Sequence, residues 1–415
     1  MGRRIAAVVN DPQGRDEVGE FDYDLIFAGC GLASGLSAYL IRKERPTARI
    51  LVLDAGRPAD WDQTWSFQTL PGQLDETTNG VFRAPDASWL APFLSGYWPR
   101  YEVQFPGLQR VLNLPYASLR YSDFIKQLAP CLGSNYRRDV WISTVEPQKV
   151  TLQDGKVLRA RCVVDARGWE AGSSTADSGF QKFVGLHLQL KKPHGLQHPI
   201  LMDATVPQND GFRFMYVLPW TDSTLLIEDT HYSRQPDLDP DFYQQEILHY
   251  ARQKAWIVDH VIGSEQGALP IPYYGQERPV TGPTPTIGVK AGLFHPTTGY
   301  SIYEAVLIAE WLAQQAPWEA APIQKKLVQF ASERWRQHEF YRRLNNMLFF
   351  ASADDQRYRI LEKFYEHEEN LVARFYSGQT SARDKLAILS GKPPVPVRKG
   401  IYHFFHRVGV GRGTA

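Results

Sequence analysis

The chain has 415 residues, of which 43% are hydrophobic and 13% aromatic, with 46 Lys and Arg against 45 Asp and Glu. So much apolar material excludes a disordered chain, and the balance of charge argues against nucleic acid as a partner. The length favours two domains that share a cleft. The three cysteines are scattered without CxxC spacing, which predicts free thiols and no metal site.

The ends of the chain differ in character from its middle. Residues 1–22 form a polar leader without the apolar stretch of a signal peptide, and no apolar run reaches the roughly 20 residues that cross a bilayer. These features predict a cytoplasmic protein. Residues 391–415 form a basic tail interleaved with aromatic residues, a pattern that suits either an anionic membrane surface or a solvated tail.

The first segment after the leader predicts a βαβ unit, with strands at 24–28 and 49–53 around a helix at 32–44. A glycine-rich turn joins the first strand to the helix, and Gly29 and Gly31 occupy its first two glycine positions. In that context, backbone N–H groups approach a pyrophosphate. The unit therefore predicts a dinucleotide-binding site.

Three further residues belong to this predicted site. Ser34 stands where the pattern prefers glycine or alanine, but it is small and Gly35 follows it, so close helix–strand packing is preserved. Asp54 ends the second strand, where an acid accepts hydrogen bonds from an adenosine ribose. FAD and NAD share this pattern, so the unit alone leaves the choice between them open.

The middle of the chain is less regular. Residues 60–121 are rich in Trp, Pro and Gly and show no sustained period, so we expect an irregular excursion over the cofactor cleft. A helix is predicted at 121–132, and strands at 140–142 and 157–164 lead to Asp165. These strands return the chain to the dinucleotide-binding domain.

A β-rich insertion comes next, in which runs at 212–219 and 224–232 form a hairpin around the polar turn 220–223. From Ser301 onward the pattern becomes helical, with charged and aromatic residues interleaved.

Two later segments favour FAD over NAD. Residues 163–168 are an apolar strand that breaks into a small-residue turn, and they resemble the returning segment of two-domain FAD proteins. Residues 288–301 bring glycines and a helix start to the place where such flavoproteins close their FAD site.

The predicted fold is therefore α/β, a Rossmann-like FAD-binding domain with an inserted β-rich substrate domain and a helical C-terminal region. Its predicted segments are the leader at 1–22, the FAD-binding domain at 23–180 and again at 276–318, the insertion at 181–275, the helical region at 319–390 and the tail at 391–415.

The run from Gly292 to Ser301, Gly-Leu-Phe-His-Pro-Thr-Thr-Gly-Tyr-Ser, resembles the flavin-end signature of bacterial carotenoid lycopene β-cyclases. Residues 64–67 (Thr-Trp-Ser-Phe), 165–168 (Asp-Ala-Arg-Gly) and 225–230 (Leu-Leu-Ile-Glu-Asp-Thr) agree with that family in order and spacing. The resemblance spans about residues 23–396.

This resemblance implies an enzyme that closes the linear ends of lycopene into β-rings, giving β-carotene through γ-carotene. The reaction is proton-catalysed and involves no net redox change, yet it requires reduced FAD as a cation stabiliser, with NAD(P)H as the external reductant. A C40 hydrocarbon substrate lives in lipid, so the resemblance also implies peripheral association with a membrane.

The chemistry needs an acid, a cation-stabilising surface and a base. Glu228 is the candidate acid, because strand alternation puts it on a face with Leu226, opposite Ile227 and Asp229. From spacing alone it would be an ordinary strand-end surface carboxylate, and the motif match favours the catalytic role. Asp165 is a candidate base or flavin-side carboxylate, or a plain turn former.

Further residues are assigned by the resemblance to the flavin end of the site or to cation stabilisation. The candidate cofactor-binding residues there are Gly292, His295, Pro296, Thr298, Gly299 and Ser301. His295 is expected to shape the turn rather than to carry protons. Candidate cation–π partners, with plain core packing as the alternative, are Trp65, Phe67, Trp220 and Phe294.

Two other functions compete with this one. The first is an FAD-dependent reductase or hydroxylase of an isoprenoid substrate, which would change the mass of the product. The second is a non-catalytic isoprenoid-binding flavoprotein homologue, which would be favoured by loss of the glycine-rich turn. Gly29 and Gly31 are both present.

Overall fold

The computed structural model describes residues 21–58, 60–68, 87–168, 178–275 and 282–408, so most of the predicted leader and the end of the tail lie outside the described residues. The strands are β1 (Tyr23–Ala28), β2 (Ile50–Leu53), β3 (Thr64–Gln68), β4 (Gly96–Trp98), β5 (Tyr101–Phe105), β6 (Leu108–Leu112), β7 (Tyr116–Arg120), β8 (Tyr136–Arg137), β9 (Ile142–Glu146), β10 (Lys149–Leu152), β11 (Val157–Asp165), β12 (Ser178–Leu190), β13 (Ile200–Asp203), β14 (Phe212–Thr221), β15 (Thr224–Ser233) and β16 (Val258–Pro272). The α-helices are α1 (Leu32–Glu44), α2 (Tyr121–Leu132), α3 (Pro240–Gln253), α4 (Ile302–Ala313), α5 (Ala320–Gln337), α6 (Glu339–Phe350), α7 (Tyr358–Phe364), α8 (Glu369–Tyr376), α9 (Ala382–Leu389) and α10 (Val397–Phe405).

The predicted βαβ unit is confirmed. Strands β1 and β2 are parallel neighbours inside a six-stranded sheet of order β8-β2-β1-β11-β10-β9. Both strands are apolar throughout their buried parts, because each face of the sheet is covered. Phe27 belongs to the core with α1 and α4 on one face, and Ile26 belongs to a second core with Val150 and Leu158 on the other.

Strand β11 brings a second turn beside the glycine-rich turn. It was predicted at 157–164 and pairs in parallel with β1, so that Asp165 lies opposite Ala28. The carboxyl ends of both strands therefore meet at one edge of the sheet, the usual ligand edge of a parallel sheet. The strand predicted at 140–142 was wrong in its bounds, since β9 begins only at Ile142.

Five strands from the predicted insertion, β12 to β16, belong to a seven-stranded sheet of order β16-β12-β15-β14-β13-β5-β6. The predicted hairpin is confirmed as β14 and β15. One face of this sheet packs against α3, through Tyr243 and Ile247 among others. The opposite face carries Tyr216 and Leu226 and packs against the C-terminal helices.

Residues 60–121 were predicted to be irregular, and this was wrong for much of the segment. Strands β3, β7 and β4 form a sheet of their own, and β5 and β6 join the seven-stranded sheet because β5 pairs in parallel with β13. These strands have only three to five residues each. β5 and β6 pair as neighbours in sequence, whereas β3 pairs with the distant β7 and β5 also with the distant β13, so most of these pairings leave no local signal.

The helical C-terminal region is confirmed. Helix α4 packs on α1 in one core, and α6 and α8 contribute to the core behind the seven-stranded sheet. None of the helices in the described ranges is long and apolar enough to cross a membrane.

Candidate active site

The glycine-rich turn after β1 meets the turn after β11 at close range. Gly29 has φ +106°, and a side chain there would place its Cβ 2.7 Å from the carbonyl oxygen of Ala166. The Ala166 N–H donates to the Ala28 carbonyl at 2.8 Å. Gly29 is therefore required both by its backbone conformation and by the approach of the second turn.

The start of α1 fits a pyrophosphate. Gly31 directly precedes the helix, and no described atom lies within 4 Å of the position that a Cβ would take there. The first N–H groups of a helix have no partner within it and form the positive end of its dipole. The Ser34 hydroxyl donates to the Gly29 carbonyl at 2.8 Å and the Gly31 carbonyl at 3.2 Å, and so ties the turn to the helix.

Gly35 has a packing role in the structure. A Cβ at this position would lie 2.5 Å from Cζ of Phe124 in α2. The close contact predicted for Gly35 is therefore between two helices, α1 and α2, and not between a helix and a strand. It fixes the position of α1 and thereby of the glycine-rich turn.

Asp54 lies immediately after β2, as predicted, and its carboxylate already has three donors. Its Oδ2 accepts from the hydroxyls of Tyr121 and Tyr136, each at 2.7 Å, and its Oδ1 accepts from the Gly56 N–H at 3.1 Å. A carboxylate has about four acceptor positions. One position on Oδ1 is left to accept from a ribose hydroxyl.

The second predicted cofactor segment is a compact turn closed by its own backbone. The Gly299 N–H donates to the His295 carbonyl at 2.9 Å, and the His295 N–H donates to the Tyr300 carbonyl at 2.8 Å. Gly292 and Gly299 both have φ +71°. The Pro296 carbonyl accepts from Nδ2 of Asn345 in α6 at 3.1 Å, which anchors the turn to the helical region.

His295 is enclosed by aromatic rings. Its ring centroid lies 4.5 Å from that of Tyr341 and 5.4 Å from that of Phe375. Burial lowers the pKa of His295 to about 3, so the ring is neutral at physiological pH. This agrees with the expectation that His295 shapes the turn rather than shuttling protons.

A cavity lies between residues 298–301 of this turn and the seven-stranded sheet. Thr298, Gly299 and Ser301 line it on one side, and Glu228 lines it on the other. Aromatic rings from several elements complete the wall, namely Trp65, Phe183, Phe214, Tyr216, Tyr232, Tyr300 and Tyr376. Part of the predicted flavin-end turn and the candidate acid therefore share one apolar cavity.

Glu228 projects into this cavity from β15, as strand alternation predicted. Leu226 belongs to the core on the cavity side of the sheet, whereas Leu225 and Ile227 belong to the core on the α3 side. The Thr230 hydroxyl donates a short hydrogen bond to Oε1 of Glu228. Burial raises the pKa of Glu228 to about 7, so a substantial fraction of this carboxyl is protonated at neutral pH.

Asp229 lies on the opposite face of the sheet and has a different environment. Arg213 donates to its two oxygens at 2.9 and 2.7 Å, and His231 Nε2 lies 3.1 Å from Oδ1. Although burial opposes ionisation, the adjacent His231 ring and the hydrogen bonds and charge of Arg213 lower the pKa of Asp229. Of these two adjacent carboxyls, Asp229 is ionised, and Glu228 is the one that can carry a proton near neutral pH.

Asp165 is not among the described residues that line the cavity. Its Oδ2 lies 2.8 Å from both Arg167 Nη2 and Lys290 Nζ. Burial opposes its ionisation, but the hydrogen bonds and charges of Arg167 and Lys290 lower its pKa. A carboxylate held by two cations is a weak proton acceptor, so its surroundings favour the flavin-side role over that of the base.

Of the four aromatic residues singled out as candidate cation–π partners, only Trp65 is among the described lining residues. The sequence interpretation missed a chain of tyrosines beside Glu228. Tyr116 exchanges hydroxyl hydrogen bonds with Tyr216 at 2.9 Å and with Tyr300 at 2.8 Å. Tyr216 lies opposite Glu228 in the β14–β15 ladder, so the predicted hairpin already contained the signal for it.

A model of the lycopene cyclase protein family matches residues 24–401. The chain belongs to the lycopene cyclase family. The lycopene β-cyclase of Pantoea ananas is 43% identical over 381 residues, which cover 90% of this chain and 96% of that protein. The lycopene β-cyclase of a Paracoccus species is 38% identical over 393 residues, covering 91% and 96%.

Solved structures share the fold of this lycopene cyclase family member at low identity. A geranylgeranyl bacteriochlorophyll reductase-like protein from Thermoplasma acidophilum has a TM-score of 0.55 at 14% identity and covers 90% of this chain and 96% of its own. A flavin-dependent brominase has a TM-score of 0.52 at 15% identity and covers 86% and 93%. These likenesses confirm the predicted fold class.

Proposed function

We propose that this chain is a lycopene β-cyclase, which closes the linear ends of lycopene into β-rings by proton catalysis without net oxidation or reduction. The observation that carries the proposal is a proton-bearing carboxyl, Glu228, in an aromatic cavity that also contains the 298–301 turn. Membership of the family and the names of relatives at 38% and 43% identity support lycopene as the substrate.

Glu228 serves as the acid. Its O–H bond breaks as a C–H bond forms at the terminal double bond of the substrate, which leaves a tertiary carbocation. The neighbouring double bond attacks that cation and closes the ring, and loss of a ring proton to a base gives the β-ring. The apolar cavity excludes water that would otherwise trap the cation. A second round at the other end converts γ-carotene to β-carotene.

The aromatic wall supports the cation. Rings such as Trp65 and Tyr216 line the cavity near Glu228, and a cation over an aromatic face gains about 0.5 to 2 kcal/mol. Protonated tyrosines suit this role because they bring no competing negative charge. Burial raises the pKa of Tyr216 well above its usual range, so its hydroxyl stays neutral.

The residues of this chain fit FAD as the resident cofactor. Gly29, Gly31 and the start of α1 would bind the pyrophosphate, Ser34 and Gly35 hold that turn in place, and Asp54 would accept from the adenosine ribose. The residues of the flavin-end turn would be Gly292, His295, Pro296, Thr298, Gly299 and Ser301. When bound and reduced by NAD(P)H, the flavin supplies negative charge that stabilises a nearby cation in low-dielectric surroundings.

The non-redox character of the reaction is tested by the mass of the product. We expect anaerobic incubation of the holoenzyme with lycopene, FAD and dithionite to give a product of unchanged mass, and the same reaction in D₂O to place deuterium in each new ring. In a parallel reaction with NADPH as the reductant, far less than one NADPH should be oxidised for each ring formed. A product two hydrogens heavier would indicate a reductase, an oxygen-containing product a hydroxylase, and bound but unchanged lycopene a carrier.

We also propose that the chain is a cytoplasmic protein bound peripherally to an anionic membrane through α10. Val397, Ile401 and Phe405 recur at every fourth position, which puts them on one face of the helix, and they are 56%, 57% and 64% exposed. Arg398 and Lys399 lie on the same helix. A helix with exposed apolar and basic side chains suits the surface of a membrane that holds lycopene and γ-carotene in its hydrocarbon core.

Membrane binding by α10 is tested by vesicle flotation. Ile401→Glu combined with Phe405→Glu should remove binding to phosphatidylglycerol-containing vesicles while leaving cyclisation of detergent-dispersed lycopene intact, because neither side chain lines the cavity. The matched control is Val261→Glu combined with Ile262→Glu, which places the same two charges on exposed apolar residues of β16. Equal flotation of the parent and the α10 variant would contradict the proposed surface.

A further inference from the structure

A second buried carboxyl lies in register with Glu228. Gly185 of β12 pairs with Glu228 of β15 on one side and with Glu265 of β16 on the other. Directly opposed residues in antiparallel strands project to the same face, and two strand spacings separate the outer backbones by about 10 Å. The two glutamates therefore flank one position, and that position has no side chain.

The glycine lets Glu265 lean toward Glu228. A Cβ added at Gly185 would lie 3.0 Å from Cγ of Glu265, 3.4 Å from its Oε1 and 3.0 Å from Cδ1 of Leu226. The space above Gly185 is thus already used by the Glu265 side chain, so any larger residue there would push the carboxyl aside.

Glu265 is only 2% exposed and lacks a full set of partners. Its Oε2 accepts from the Thr64 N–H at 2.6 Å, whereas within the described residues Oε1 has no hydrogen-bond partner. Thr64 itself lines the cavity. A buried carboxylate with a single hydrogen-bond donor has a high free energy, so the protonated carboxylic acid is the more stable form here.

Among the residues that the structure describes, no cation neutralises the two glutamates. His187 of β12 lies against Asp62 and Trp220, and burial lowers its pKa, so it is neutral. Arg120 is ion-paired with Asp123 at 2.7 Å. The other titratable groups that act on the two glutamates are acidic or phenolic, namely Asp62, Asp229, Tyr216 and Tyr232.

We propose that Glu228 and Glu265, on either side of Gly185, form a coupled carboxyl pair, and that this pair still holds one proton at neutral pH. Glu265 is a positioning residue in this pair, because negative charge on either carboxyl opposes ionisation of the other. Burial and then the charge of Glu228 raise the pKa of Glu265 well above its usual range, in agreement with such coupling. The catalytic consequence, a prolonged supply of the acid form of Glu228, rests on the function proposed above.

The pair is tested without substrate, by infrared titration of the C=O stretch of protonated carboxyls in the FAD-loaded protein. The parent should lose its two buried protons in two well-separated steps. Glu265→Gln and Glu228→Gln should each show a single step that lies between the two parental steps. The proposal is overturned if each variant merely loses one parental step and leaves the other at its original pH.

Two further variants keep the test decisive. Glu246→Gln removes a carboxylate that pairs with Arg213 on the α3 side of the same sheet, and it should leave both steps unmoved. Glu265→Asp withdraws the carboxyl by one methylene, so its two steps should move closer together. If Glu265→Gln does not fold, an unchanged separation in Glu265→Asp overturns the pair.

Catalysis provides an independent readout. In the pH–rate profile of cyclisation, Glu265→Gln should move the alkaline limb to lower pH by about one unit or more. The alkaline limb of Glu265→Asp should lie closer to that of the parent. A lower rate with an unmoved limb would mean a structural role for Glu265 and would contradict the pair. Coupled titration without cyclisation would refute the proposed function alone, and cyclisation with uncoupled titration would refute the pair alone.

Discussion

Glu228→Gln is expected to lower the rate of cyclisation by a factor of about 10² to 10⁴ or more, while FAD binding and the fold are retained. Glutamine has nearly the same size and can still accept from the Thr230 hydroxyl, but it has no acidic proton. The measurement is β-ring formation by the purified holoenzyme, with flavin content determined on the same sample.

Stability should not fall in this variant. Because the pKa of Glu228 is raised from its usual 4.5 to about 7, the folded protein loses stability as the pH rises through this window, and a neutral glutamine avoids that loss. The Tm of Glu228→Gln should therefore match the parent at pH 4 and equal or exceed it at pH 8.

The adjacent carboxyl provides the control. Asp229→Asn should lower the catalytic rate per folded molecule far less than Glu228→Gln, but it should lower the Tm, because it weakens a fully buried ion pair with Arg213. Parental cyclisation by Glu228→Gln would exclude Glu228 as the acid.

Gly31→Val is expected to abolish FAD binding and, with it, cyclisation. The backbone of Gly31 has an ordinary φ of −88°, and apart from its chain neighbours no described atom lies within 4 Å of an added Cβ, so the fold should be retained. Its side chain would instead stand at the start of α1, where the pyrophosphate needs close approach to backbone N–H groups. Flavin absorbance after gel filtration and the Tm of the apoprotein measure the two effects separately.

Gly29→Ala is the contrasting control for this experiment. In this variant an alanine must adopt φ +106°, and its Cβ would lie 2.7 Å from the Ala166 carbonyl oxygen. Gly29→Ala should therefore lower the Tm of the apoprotein as well as flavin binding. Full flavin absorbance in Gly31→Val would mean that the glycine-rich turn does not hold the pyrophosphate.

Local patterns were sufficient to predict the parts of the site that depend on neighbours in sequence. The glycine-rich turn and the hairpin are each built from contiguous residues, so period and turn chemistry located both. Alternation along β15 then separated Glu228 from Asp229 correctly, since the two faces of that strand belong to different cores.

The remaining parts depend on pairings between distant segments. Glu265 lies in register with Glu228 only because β12 lies between β15 and β16 in the sheet, an order that no local pattern specifies. Tyr376 joins the cavity from α8, and Trp65 from β3. Strand β5 did carry a strand signal, the alternation of apolar and polar residues from Tyr101 to Phe105. Its parallel partner β13, however, lies about a hundred residues further along the chain.

Pigment analysis of lycopene-accumulating cells that express the parent or Glu228→Gln tests the proposed activity most directly. We expect β-carotene, with γ-carotene as the one-ring intermediate, in cells with the parent, and unchanged lycopene in cells with an equal amount of folded, FAD-containing variant. Unchanged lycopene with the parent, or equal β-carotene with both proteins, would contradict it.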